Sequence, residues 1–239
     1  MSYLSKAVET LNIIESEEGP VITAVGRQLA DVIEGGGILH TFGCGHSGLL
    51  AQDAYYRAGG LVPVRPITIE PLMLHEGARR SSELERTPDF VTPYLEKEPV
   101  RDGDMVLVIS VSGRNPAPVD TARFFKKKGI KVIALTSLAY SDTQPSRHVS
   151  GQRLEDVADW TIDLHVPVGD AAMSAEGLDQ AFSPLSSVAG TAALHALFSK
   201  TIEDLHGRGV DVPIFKSGNI DGSDAHNEKM IERYGRIGF

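Results

Sequence analysis

One stretch limits the possible folds more than any other: residues 104–117, "DMVLVISVSGRNPA". From Met105 to Ile109 every side chain is apolar, so the run does not alternate as a strand with one wet face would. A short run of this kind fits a strand buried on both faces, the central strand of a parallel sheet covered by helices. The serines and Gly113 then break the run. Pro116 is compatible with the first turn of a helix, which Gly129 would close.

The same pattern occurs upstream. "GILHTF" reads as a strand, "GCGHSG" as a turn, and "GLLAQDAYYRAGG" as a helix ending at Gly59 and Gly60. Further strands are expected at "VRPITIE", "KVIALTS" and "DWTIDLHV". Helices are expected over Ser2–Glu15, with Leu4, Val8, Leu11 and Ile14 on one face, and over Pro20–Ile33. The longest apolar-periodic segment, "SPLSSVAGTAALHALFSKTIEDLHG", carries Ser187, Ala189, Gly190 and Ala193, small enough for another backbone to approach. "AHNEKMIERYG" reads as a short helix near the end. The charged, serine-rich region Pro71–Pro99 has no clean period and is expected to be a mobile, partly helical insertion. The fold class is therefore α/β, a three-layer sandwich around a five-stranded parallel sheet. It is read as one domain, with N-terminal helices (1–35), an α/β core (36–206) and a tail (207–239).

Charge narrows the function classes. A formal net charge of -9 is the wrong sign for a nucleic-acid binder. It does not exclude a small anion, because backbone amides bind phosphate without net basic charge. No apolar run is long enough to span a membrane, and a single cysteine, Cys44, suits a reducing compartment. The expectation is a cytoplasmic protein.

The two loops carry the chemistry. Gly43 and Gly45 permit a tight turn, and Ser47 is expected at or near the helix N-cap. Ser110, Ser112, Gly113 and Asn115 leave the second strand in the same direction. Two such loops at one sheet edge would share one oxyanion, held by amides, hydroxyls and helix dipoles. Either loop alone reads as a capped turn. Neither is a nucleotide loop of the Gly-Lys-Ser/Thr type, and no acidic ribose-binding residue can be placed. No cofactor is expected. Cys44 and His46 lie close in sequence, but no further ligand spacing supports a metal.

"TFGCGHSGLLAQDA" and "VISVSGRNP" resemble the two phosphate loops of the SIS (sugar isomerase) phosphosugar-binding domains. "AGTAALHALFSKTIEDL" with the later "HNEKM" is similar to a helix and tail of N-acetylmuramic acid 6-phosphate etherases. The resemblance also reaches the phosphoheptose isomerases. It implies a flavodoxin-like sheet, a phosphosugar at the strand ends held by Gly43, Gly45, His46, Ser47, Ser110, Ser112, Gly113 and Asn115, and a homodimer or larger oligomer sharing the site. The chain also departs from these families. Counted from the loop serine, the acid of both families falls on Arg57, and the etherases' second acid falls on Arg79. Arginine stays protonated and is no general base, so the etherase mechanism is not expected.

Other residues would have to supply the chemistry. Glu70 and Glu76 are the candidate carboxylates, with Glu70 expected to close the second strand. His195 lies where a phosphoheptose isomerase helix carries its histidine, and Arg57 would contact the phosphate or a sugar carboxylate. His75 and His226 read as surface residues. The expected function is an isomerase or lyase acting on a phosphorylated sugar or amino sugar. The alternative is a phosphosugar sensor without turnover.

Overall fold

The computed structural model describes residues 2–239. Helix α1 (Tyr3–Ile13) runs through a π turn (Ile14–Glu18) into α2 (Gly19–Glu34). Then follow β1 (Leu39–Gly43), α3 (His46–Asp53), β2 (Val64–Pro66), α4 (Ala78–Glu85), α5 (Thr92–Leu95), β3 (Met105–Ile109), α6 (Pro116–Lys127) and β4 (Lys131–Thr136). The rest is α7 (Leu154–Val157), β5 (Trp160–Asp163), the long α8 (Ser186–Gly207) and α9 (Asp224–Arg233). The five strands are all parallel, in the order β2-β1-β3-β4-β5.

The uninterrupted apolar run of β3 now has its reason. Met105, Leu107 and Ile109 face a core shared with α1, α2, α3 and α8, while Val106 and Val108 face a second core under α5, α6 and α7. Successive side chains point to opposite faces, so a strand with helices on both sides must be apolar throughout. Each fully buried Val, Leu or Ile here stabilises the fold by roughly 1.5–3 kcal/mol.

The small residues of α8 do admit a close neighbour: Ala189, Gly190 and Ala193 are buried, and a side chain at Gly190 would meet Leu50 of α3 at 2.5 Å. Three expectations need correction. Leu4 and Val8 do not face the core. They are 73% and 56% exposed, and α1 buries Ala7 and Thr10 instead, while Ile14, in the π turn, is buried as expected. β2 ends at Pro66, so Glu70 does not close a strand; it starts a 3-10 turn (Glu70–Leu72). Residues 71–99 are no loose insertion, because Leu72, Met73, Val91 and Leu95 are buried and three of them join the second core.

The polar C-terminal tail also packs. Phe215, Met230, Tyr234 and Ile237 form a satellite core with Ile38 and Val62. Arg236 pairs with buried Asp104 just ahead of β3. His226 donates to the Ile214 carbonyl at 2.8 Å, so it acts as a tie within the tail.

Candidate functional site

Strand order reverses between β1 and β3, which pair Gly43 with Ile109 at their carboxyl ends. The chain leaving β1 turns into α3 on one face of the sheet, and the chain leaving β3 turns into α6 on the other. The two exits diverge and leave a crevice, the usual ligand position in such sheets. A cavity of about 550 Å3 opens there.

The first loop supplies Cys44, His46 and Ser47 to the cavity wall. Gly43 is required by close approach: a Cβ there would lie 2.4 Å from the Ser47 carbonyl oxygen, so the strand end lets the first helical turn fold back over it. The N-cap is Gly45, at φ 56°, so Ser47 is the second helical residue and not the cap. Gly48 donates to the Cys44 and Gly45 carbonyls and Leu49 to Gly45. The preceding amides, of His46 and Ser47, are the first-turn donors a helix cannot satisfy itself. Burial, with the Glu85 charge adding to it, pushes the Cys44 thiol well up, so it stays a neutral wall group.

The second loop supplies buried Ser110, together with Ser112 and Asn115. Gly113 adopts φ 60°, and a Cβ there would meet Glu155 Oε2 at 2.6 Å and Thr136 Oγ1 at 2.9 Å. Behind the loop, Arg153 donates to the Ser112 carbonyl, and Arg147 donates to Asn115 Oδ1 at 3.1 Å.

Glu85, the last residue of α4, also lines the cavity. Burial raises its carboxyl pKa, opposed by the hydrogen bond from Asn115 and by the Arg86 and Arg147 charges. The sequence reading missed it because α4 is polar throughout and only its packing beneath α6 turns this acid inward.

The remaining wall is the segment after β5, which was not anticipated either. It doubles back through an antiparallel bridge between Met173 and Phe182. Asp170, at φ 51°, accepts from the Leu185 and Ser186 amides at 3.0 and 2.8 Å and from the Ser186 hydroxyl at 2.5 Å, so it caps α8. Gly169 donates to the Tyr140 hydroxyl at 2.8 Å.

The expected residues fall into two groups. His46, Ser47, Ser110, Ser112 and Asn115 line one cavity, with Gly43, Gly45 and Gly113 shaping its loops. Glu70, Glu76, His195 and Arg57 do not line it. Arg57 lies beyond the end of α3, which stops at Asp53, and pairs with Asp53. The same aspartate faces His195 of α8, 3.5 Å from its Nε2. Glu70 and Glu76 flank His75 at 3.7 and 3.9 Å on two 3-10 turns, all three exposed and with ligand atoms within 4.8 Å of one another. That cluster has the composition of a cation site and was not foreseen from spacing.

Comparison with known proteins agrees with this architecture. The SIS domain family matches residues 2–137. A UPF0309 protein of Halalkalibacterium halodurans is 47% identical over 98% of this chain and 93% of its own length. A UPF0309 protein of Geobacillus kaustophilus is 46% identical over 97% of this chain and 92% of its own. Among solved structures, a phosphoheptose isomerase from Francisella tularensis has a similar fold, with TM-score 0.55 and 17% identity over 83% of this chain and 94% of that one. A phosphoheptose isomerase from Neisseria gonorrhoeae gives TM-score 0.53 and 14% identity over 82% and 93%. No helix among the described residues is long and apolar enough to cross a membrane.

Proposed function

This chain belongs to the SIS domain family, and on that premise we propose that its cavity binds a phosphosugar and acts on it as an isomerase or lyase. The observation that carries the reading is the meeting of Ser47, Ser110 and Ser112 in one cavity at the β1/β3 reversal. The phosphate would accept hydrogen bonds from the first-turn amides of α3 and from these hydroxyls, next to the positive end of the helix dipole. The isomerase fold neighbours support a sugar phosphate as the ligand class.

We assign the proton transfer to Glu85. Aldose–ketose isomerisation needs a base that takes the proton from the carbon beside the carbonyl and returns it to the neighbouring carbon. Glu85 is the cavity carboxylate whose burial raises its proton affinity, and Asn115 fixes its orientation. Asp170, the other cavity acid, already accepts three hydrogen bonds as a cap. His195, Glu70 and Glu76 would act only from outside the cavity.

One observation favours a second reading, a phosphosugar sensor without turnover. Arg57 stands where both related enzyme families place an acid, and it lies outside the cavity.

A thermal-shift series with hexose, heptose and amino-sugar phosphates, each beside its unphosphorylated sugar, tests binding. Proton NMR of each hit in deuterated water tests turnover. Stabilisation by phosphorylated sugars alone, with deuterium uptake beside the carbonyl, is expected. Binding without exchange or conversion selects the sensor, and no preference for phosphorylated sugars overturns both readings.

A further inference from the structure

Away from the cavity, α6 and the loop from 141 to 153 bring together an acid, an imidazole and a hydroxyl. Asp120 and His148 are both buried, and His148 Nε2 lies 2.8 Å from Asp120 Oδ1. The other Asp120 oxygen accepts from the Asp89 amide at 2.9 Å, which fixes the carboxylate. On the far side of the ring, Nδ1 accepts from the Ser150 amide at 3.1 Å and lies 2.7 Å from Ser150 Oγ.

This pattern fixes the tautomer. A ring nitrogen that accepts from an amide carries no proton, so the proton sits on Nε2, toward Asp120. Nδ1 shares its one lone pair between the Ser150 amide and the exposed Ser150 hydroxyl, so it takes the hydroxyl proton by giving up the amide hydrogen bond. The order of groups is that of a nucleophilic triad with the two ring nitrogens exchanged. The loop has ties of its own: the Arg147 amide donates to the Arg114 carbonyl at 2.8 Å, and Ser146 Oγ to the Gln152 carbonyl at 2.6 Å. The Ser150 hydroxyl itself accepts from the Gln152 amide at 3.2 Å, a bond within the same turn.

Asp120 and His148 also line a recess of about 250 Å3 with Asp89, Arg123, Phe124 and Lys127, and its wall reaches Val149, the residue before Ser150. Lys127, exposed in its wall, brings a positive charge to this recess.

We propose that Asp120, His148 and Ser150 form a second reactive centre, in which Ser150 accepts the acyl group of small esters whose leaving oxygen is that of a phenol or similarly acidic alcohol. Ser150 Oγ attacks the carbonyl carbon as its proton passes to His148 Nδ1. The tetrahedral adduct collapses, the ester C–O bond breaks, and the leaving oxygen takes that electron pair and the proton from Nδ1. Water then gives a proton to Nδ1 as its oxygen attacks the serine ester; the bond from Ser150 Oγ to the acyl carbon breaks, Oγ takes the proton back from Nδ1, and the acid leaves.

The full chain is treated with a fluorophosphonate, which forms a Ser–P bond with loss of fluoride, and separately with p-nitrophenyl acetate. Adducts are located by intact mass and peptide mapping, with Ser199 as the exposed reference serine. Labelling at Ser150 is expected to outpace Ser199, and His148→Ala or Asp120→Asn to slow it by roughly tenfold or more. Ser150→Ala should remove adduct and nitrophenol release together while leaving phosphosugar binding unchanged. Should both buried variants fail to fold, Ser150→Cys should react with iodoacetamide roughly tenfold or more faster than Ser199→Cys. No adduct at Ser150, a rate equal to that of Ser199, indifference to both His148 and Asp120, or equal thiol rates would each overturn the proposal.

Discussion

Asn115 Nδ2 donates to Glu85 Oε1 at 2.9 Å, tying the N-cap of α6 to the last residue of α4 at the cavity wall. The same asparagine accepts from Arg147 through Oδ1. One side chain thus orients the acid and links it to a nearby positive charge.

Glu85→Gln is expected to lower turnover by roughly a hundredfold or more with little change in substrate binding. Steady-state kinetics beside direct binding separates the two. Full turnover in Glu85→Gln, with loss instead in His195→Ala or the Glu70 and Glu76 variants, would move the chemistry outside the cavity.

The same variant should be stabilised at neutral pH. Burial raises the folded-state pKa of Glu85, so this group favours folding below its unfolded pKa and loses that contribution as pH rises through the folded value. Glu85→Gln escapes that loss. Its melting temperature should exceed the wild-type value near pH 7, with the gap narrowing toward pH 4. An equal gap at both pH values would contradict the linkage.

Ser47→Ala and Ser112→Ala should each weaken phosphosugar binding by about tenfold to a hundredfold, the scale of one hydrogen bond to a charged group. Calorimetry at fixed ionic strength checks this. Gly113→Ala should act differently: its φ of 60° and the 2.6 Å approach to Glu155 Oε2 predict a folding loss of about 1–3 kcal/mol.

Asp104 gives a control at the opposite end of the strands. Burial works against its ionised form, but hydrogen bonds from His40, Arg236 and the Arg101 and Ile38 amides outweigh this and hold its pKa at about 2. Its contribution is present above the unfolded value near 3.9 and is lost as pH falls toward 2. Asp104→Asn should destabilise the fold by roughly 3 kcal/mol at neutral pH, because it leaves buried partners unpaired. Ligand affinity of the folded fraction should not change.

Leu4 and Val8 stand exposed on α1, near an apolar trough lined by Leu11, Ile22, Ala192 and Ala196. A homodimer covering this face is expected at micromolar concentration. Sedimentation should give about twice the 25.7 kDa chain mass, and Leu4→Asp with Val8→Asp should return the monomer. A wild-type monomer would contradict the expectation.

The sheet and both glycine- and serine-bearing loops were legible in the chain because their determinants are local. The apolar run Met105–Ile109 can be buried only on both faces, and glycine or serine at each strand exit fixes the turn within a few residues. Helix faces and the acids that line the cavity were decided by packing. Leu4, Val8 and Leu11 have the spacing of a core stripe, yet α1 turns Ala7 and Thr10 inward against its neighbours. Periodicity shows that a helix has a face but not what that face will meet. The acid position of the resembled families falls on Arg57, outside the cavity, while Glu85, from a polar segment without a clean period, lines it. Its position depends on buried Leu72, Val91 and Leu95 anchoring residues 71–99 against the sheet. Those are long-range contacts, and local sequence carries no record of which distant side chains will close over a strand end.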